Sequence, residues 1–204
     1  MLTIAILAGG QSQRMGKDKA NMLFQGRNIV RRIIERLEGL KGEIIIIGSV
    51  IKEGMDPGVR MLTDLFPNHG PLGGLHTALI GASNPVVACV ACDMPFVNPD
   101  LIAFQRDLLL SENLDVVAPS TKKGIEPLHG VYRRQTCLPA VWEALKIGEK
   151  RIVSWFPNVR TRILKPKELS KYDIEGHTFV NINTPEEFGL AEAFKEESRT
   201  SRTG

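Results

Sequence analysis

Cysteine is scarce in this chain of 204 residues: there are three, an odd number. A disulfide framework is therefore excluded as the organising principle, and the expected setting is reduced and cytoplasmic. No apolar run approaches the ~20 residues of a membrane span, so no membrane partner is expected. The opening MLTIAIL has no basic stretch before it and runs straight into glycines, which reads as a first strand and not as a signal peptide. Charge of one sign is missing too. Twenty-six basic residues face 23 acidic ones, for a net charge of +3, so the electrostatic footprint of a nucleic-acid binder is absent. Trp142 and Trp155 lack the basic interleaving of a base-stacking surface. No Ser–His–Asp or Cys–His set can be assembled. With no long exposed apolar stripe to demand a dimer, a monomer is expected.

What is there is an ordinary globular composition, 43% apolar and 24% charged, ample for a real core. Apolar runs at 3–7, 43–48, 59–63, 86–91 and 115–119 read as buried strands; further strands are expected at 128–132 and 161–164. Between them Ile29, Ile33, Ile34, Leu37 and Leu40 recur with helical spacing. Asn98-Pro99-Asp100 and Thr184-Pro185-Glu186-Glu187 are helix starts, the second with the spacing of a capping box. A further helix is expected over 137–146. Strand and helix in alternation predict an α/β fold: a single-domain, three-layer, Rossmann-like arrangement with a mostly parallel sheet and helices on both faces. One domain is expected over 1–196. The polar residues 197–204 are expected to be a flexible tail.

In such sheets ligands bind at the carboxyl ends of the strands. There the sequence places LAGGQSQRMGKDK, residues 7–19. It is not a P-loop, because five residues and not four separate Gly10 from Gly16, and Asp18 stands where a hydroxyl should. It is not a dinucleotide fingerprint either, since Gly9 and Gly10 are adjacent. A loop remains in which Gly9 and Gly10 permit close approach while Arg14 and Lys19 reach inward. Such a loop suits a triphosphate whose leaving pyrophosphate builds up charge.

Asp64 and Asp93 each follow a strand at the same edge. Asp93 offers a hard oxygen suited to Mg²⁺, which takes one or two carboxylates plus substrate phosphates. Gly73-Gly74 opens an expected helix running toward Ala82. The pair permits either nucleotide approach or tight helix–strand packing, and the spacing alone leaves both open. Cys89 and Cys92, three apart on a strand, point to opposite faces and read as core. His129 reads as a partly buried, hydrogen-bonded histidine near the site. Lys150 and Arg151 read as a solvated charge run with an acceptor phosphate as the alternative.

Taken together, LAGGQSQRMGKDKA, GPLGGLHTAL, CDMPF and FVNINTPEEF resemble the molybdenum cofactor guanylyltransferases, within the wider group of Rossmann-like nucleotidyltransferases. The resemblance covers residues 2–194. It implies transfer of GMP from GTP to the terminal phosphate of molybdenum-bearing molybdopterin, with pyrophosphate leaving and Mg²⁺ as cofactor. It implies that Leu7, Ala8 and Gly9 hold GTP through backbone groups, with Gly10 and Gly73 beside them. Lys19 would hold the phosphates and Arg14 neutralise the pyrophosphate. Asp64 would contact the nucleotide, and Asp93 the metal and nucleotide together. Asn181 and Asn183 would lie near the reacting centre or the pterin. Molybdopterin-loading proteins and molybdoenzyme chaperones are implied partners. One departure stands out: where some members place an Asn after the EIIII strand, this chain has Gly48 or Ser49. The rival readings are a sibling enzyme using CTP or a sugar-phosphate acceptor, and a non-catalytic GTP-binding partner in molybdoenzyme maturation.

Overall fold

The computed structural model describes residues 1–9, 22–48, 57–174 and 176–194. Gly10, Arg14, Lys17, Lys19, Ser49 and the expected tail lie outside these described residues.

The first half of the chain supplies β1 (Leu2–Ala8), a short ribbon of β2 (Leu23–Phe24) and β3 (Arg27–Asn28), α1 (Ile29–Leu37), β4 (Glu43–Gly48), β5 (Arg60–Leu62), α2 (Gly70–Gly81) and β6 (Val86–Ala91). The second half adds α3 (Pro99–Ser111), β7 (Val116–Thr121), β8 (Gly124–Ile125), β9 (His129–Arg133), α4 (Arg134–Lys146), β10 (Thr161–Leu164), α5 (Pro166–Leu169) and α6 (Pro185–Glu192). One sheet runs in the order β10-β7-β9-β6-β1-β4-β5, with β8 hairpinned onto β7. The pairs β5–β4, β4–β1, β1–β6 and β7–β10 are parallel, whereas β9 runs antiparallel to both β6 and β7.

Both faces of this sheet are covered, which is why its central strands are apolar without alternation. β1 is buried at every position. Its residues alternate between two cores: Leu2, Ile4, Ile6 and Ala8 join α1, α3 and α6 on one side, while Ala5 and Leu7 join α2 and α4 on the other. The three-layer expectation holds. The helix starts read from the sequence are present as well. Asn98 Oδ1 accepts from the backbone N–H groups of Asp100 and Leu101. Thr184 and Glu187 close the capping box reciprocally.

Several boundaries move. α2 opens at Gly70, one turn ahead of the glycine pair, and α4 opens at Arg134, ahead of Cys137. The ribbon β2–β3, the hairpin strand β8 and the short α5 are additions that the apolar pattern did not signal. Cys89 and Cys92 do belong to opposite cores. Burial pushes the Cys89 thiol well up, and that of Cys137 to about 12, so both are inert core residues. Among the described residues no helix is long and apolar enough to cross a membrane.

Candidate active site

Parallel pairing brings the ends of four strands to one edge. Ala8 is level with Gly48, Leu7 with Ile47 and Ala91, and Ile47 with Leu62. Gly9, Asp64 and Asp93 each lie one or two residues beyond those ends, so strand register alone gathers them. Beyond β6 the backbone stays tied to β1, for Cys92 N–H donates to the Leu7 carbonyl at 3.1 Å. Leu7 is thereby occupied: its carbonyl by Cys92, its side chain by α2. Ala8 is buried and Gly9 exposed, which leaves Gly9 as the more accessible backbone at the end of β1.

Asp64 is held from one side. Its Oδ1 accepts from Phe66 N–H at 2.9 Å and lies 3.1 Å from Thr77 Oγ1. Thr77 in turn accepts from Leu65 N–H at 3.0 Å and lies 3.1 Å from the Gly73 carbonyl. Both bonds from described residues to Asp64 thus go to Oδ1, while Oδ2 faces Gly9, 4.0 Å from where a Cβ would stand there. Thr77 was not singled out in the sequence. The only signal for it is its position one turn after Gly73 on the helix that flanks the site.

The glycines of this edge divide by what fills the space beside them. A Cβ at Gly73 would lie 2.3 Å from the Phe66 carbonyl oxygen. At Gly74 it would meet Leu7 Cδ2, also at 2.3 Å. Packing of α2 against the Phe66 backbone is by itself enough to require a glycine at Gly73, which favours the packing alternative the sequence left open. Gly48 is tighter in backbone terms. It has φ +107°, and a Cβ would stand 2.7 Å from Gly9 Cα and N, so the asparagine that the family resemblance would put after the EIIII strand has no place at Gly48. Gly9 differs from all of these. Its φ is not in the left-handed region, and among the described residues a Cβ there would meet only ordinary contacts at 3.7 Å and beyond. Among the described residues, packing does not require a glycine at this position.

Asp93 sits in the turn after β6 and is partly buried. Its main-chain carbonyl accepts from Ile182 N–H at 2.9 Å. That one bond carries the 181–183 segment onto the same edge, although it lies nearly ninety residues away in sequence. Asn181 Oδ1 is buried and finds no donor among the described residues, an uncommon state for a buried amide oxygen. Asn183 is exposed, its N–H donating to Glu187 Oε2 at 2.7 Å as part of the α6 cap. Among the described residues no group of three or more His, Cys, Asp or Glu could hold a metal by itself. One carboxylate at Asp93 and an unpartnered amide oxygen nearby nonetheless fit a hard cation that takes its other ligands from phosphates and water.

His129 is fully buried. Its Nε2 accepts from Asn98 N–H at 3.3 Å, and its ring packs on Phe179 with centroids 5.3 Å apart. Burial pushes its pKa down to about 4, so it is a neutral core residue.

The opposite edge of the sheet carries carboxylates of another kind. Glu43 accepts from Thr3 Oγ1, from Ser83 N–H and Oγ, and from Arg60 Nη1. Burial opposes its charge, but these donors win and hold the pKa down to about 2. Asp115 accepts the fork of Arg160, the Arg160 N–H and the Thr136 hydroxyl, all within 3.0 Å. Chiefly through Arg160, its pKa too is about 2.

Comparison with known proteins agrees with this geometry. Residues 4–161 match the profile of the MobA-like NTP transferase domain. A probable molybdenum cofactor guanylyltransferase of Pelotomaculum thermopropionicum is 37% identical over 98% of this chain and 96% of its own length. A molybdenum cofactor guanylyltransferase of Desulfosudis oleivorans is 32% identical over 98% of each. In fold, the chain is similar to the crystal structure of molybdopterin-guanine dinucleotide biosynthesis protein A from Archaeoglobus fulgidus. The TM-score is 0.79 at 22% identity, covering 93% of this chain and 96% of that one.

Proposed function

The chain belongs to the MobA-like NTP transferase family, and from that premise we propose that it transfers GMP from GTP to the terminal phosphate of molybdenum-bearing molybdopterin. It is a nucleotidyltransferase. The observation that carries the guanylyl reading is similarity to guanylyltransferases along nearly the whole length of both chains. The convergence of Gly9, Asp64 and the Asp93 turn on one sheet edge supports it.

In this reading an oxygen of the acceptor phosphate attacks the α-phosphorus of GTP. The bond from that phosphorus to the bridging oxygen breaks, and its electron pair leaves with pyrophosphate. The protein forms no covalent bond; it positions groups and neutralises charge. Ala8 and Gly9 lay backbone against the nucleotide. Asp64 keeps Oδ2 as an acceptor toward Gly9, its other oxygen fixed by Phe66 and Thr77. Asp93 holds Mg²⁺, with Asn181 Oδ1 as a further oxygen in reach of the centre. The metal supplies charge neutralisation across the phosphates. Arg14 and Lys19 do the same for the departing pyrophosphate, and Asn183 sits on the acceptor side.

The test is thermal stability with GTP, CTP, ATP and UTP, each with Mg²⁺. A ligand at ~100 times its dissociation constant stabilises by about 2.7 kcal/mol, so GTP alone should raise the midpoint. Magnesium-dependent pyrophosphate release should then require molybdenum-bearing molybdopterin. A larger shift with CTP overturns the guanylyl assignment in favour of cytidylyl transfer.

A further inference from the structure

The reversed strand β9 makes the chain turn back at the active edge. The turn is the β7–β8 hairpin, whose tip is Thr121-Lys122-Lys123-Gly124. Register fixes where that tip stands. Val90 is level with His129 and Val117 with Val131. Counting on from those pairs along β6 and β7 brings Lys122 level with Asp93. The tip lies two strands to the side, about 10 Å by ordinary strand spacing. The returning arm is bonded to the site itself, because the Leu128 carbonyl accepts from Ala91 N–H at 3.1 Å, two residues before Asp93.

The tip is held in shape. Thr121 Oγ1 accepts from Lys123 N–H at 3.1 Å and donates to Glu126 Oε1 at 3.0 Å. Glu126 N–H returns to the Pro119 carbonyl at 2.8 Å, and Tyr132 Oη donates to the Pro127 carbonyl at 2.6 Å. Gly124 takes φ +125°, which lets the turn close. Both lysines are exposed, and among the described residues neither makes an ion pair. The one carboxylate of the hairpin, Glu126, is engaged by Thr121. A surface lysine pair is ordinarily solvated. This pair stands on a braced turn level with the reacting centre, on the side away from β1, where the nucleotide is held.

We propose that Lys122 and Lys123 form an anion contact for the acceptor substrate. The inference rests on the guanylyl-transfer reading, which makes the acceptor a phosphate-bearing anion. Two ammonium groups carried on a braced turn draw that anion across β9 toward Asp93 and add to its binding without touching GTP. The alternative source of the same chemistry is the triphosphate of GTP, and the experiment separates the two.

The experiment is steady-state pyrophosphate release by the full chain, with GTP and with molybdenum-bearing molybdopterin varied in turn. Wild type is compared with the Lys122→Ala/Lys123→Ala and Lys122→Glu/Lys123→Glu variants. Both positions are exposed in a turn, so the variants should fold, and an unchanged midpoint checks it. The expected result is an acceptor KM raised about three- to tenfold by the alanines and further by the glutamates, with kcat and the KM for GTP unchanged; the difference should shrink as salt is raised. An unchanged acceptor KM overturns the proposal while leaving guanylyl transfer intact. A rise in the KM for GTP also overturns it, because the lysines then serve the triphosphate. Wild type that releases no pyrophosphate with this acceptor overturns the guanylyl reading and the proposal with it.

Discussion

Glu43 and Asp115, at the amino edge of the sheet, each receive four hydrogen bonds from the protein itself. Asp64, at the carboxyl edge, receives its bonds on one oxygen and turns the other toward Gly9. The Asp93 turn is tied by its main-chain carbonyl to Ile182 N–H. The same side-chain chemistry thus serves two purposes. Where the fold saturates a carboxylate, the group fastens strands to loops. Where it leaves one oxygen without a described donor, as at Asp64 Oδ2, that acceptor is open to a ligand. Between Glu43 and Asp115 on one hand and Asp64 on the other, the difference is the supply of donors.

Substitutions at the two edges should therefore fail differently. The largest effect is expected from Asp93→Ala: magnesium-dependent pyrophosphate release falls by about 1,000-fold or more, with little change in thermal midpoint. Near-normal turnover with magnesium would erase the distinction between the edges. Asp115→Ala should do the reverse. It costs about 2 to 4 kcal/mol of stability, measured by denaturant unfolding, while the folded enzyme keeps its kcat.

Acid should separate the groups further. Glu43 and Asp115 titrate near 2 in the fold against ordinary values of 4.5 and 3.8. Their stabilisation is complete above about 4.5 and is lost as pH falls toward 2, with at most about 3 kcal/mol from each. His129 is depressed to about 4 from 6.5. The unfolded chain takes up that proton first, so stability begins to fall below about 6.5 and continues to fall toward 4. Burial depresses His76 as well, and it adds to the same stage. Unfolding followed from pH 8 to pH 2 should show a plateau and then two declines. His129→Gln should shrink the first decline, and Glu43→Gln the second. The smallest effect is expected of Gly48→Ala, which adds a Cβ at φ +107° against the Gly9 backbone. It should cost about 1 to 3 kcal/mol and weaken GTP binding by titration more than it lowers kcat.

The strands were legible where both faces are buried. TIAIL, EIIII and VVACVA carry their burial as uninterrupted apolar runs, and Thr161–Leu164 falls within its expected bounds. Direction was not legible. LHGVY reads the same whether its strand runs with or against its neighbours, so the reversal of β9 had to come from pairing. Two-residue strands such as β2, β3 and β8 are too short to show a period at all. At the site, Asp64 and Asp93 stood out because each follows a strand. Their supports did not, since Thr77 and Ile182 act through contacts that span 13 to 89 residues and follow no local pattern. Gly73 shows the same limit from the other direction. A glycine announces that something comes close, and only the position of Phe66 says what. Asp115 had no signal either, because its main partner, Arg160, lies 45 residues downstream.

The reversal of β9 has a consequence for how such an enzyme can change. It places a seam between β6 and β7. The strands that carry Gly9, Asp64 and Asp93 lie on one side, and the hairpin lies on the other. Insertions or deletions at residues 121–126 fall in a surface turn and leave the pairing of β5, β4, β1 and β6 untouched. A lineage can thus lengthen, shorten or recharge that turn while the half that carries Gly9, Asp64 and Asp93 keeps its registration. A chimera carrying a foreign β7–β8 turn should fold on the first attempt, because the graft crosses no core.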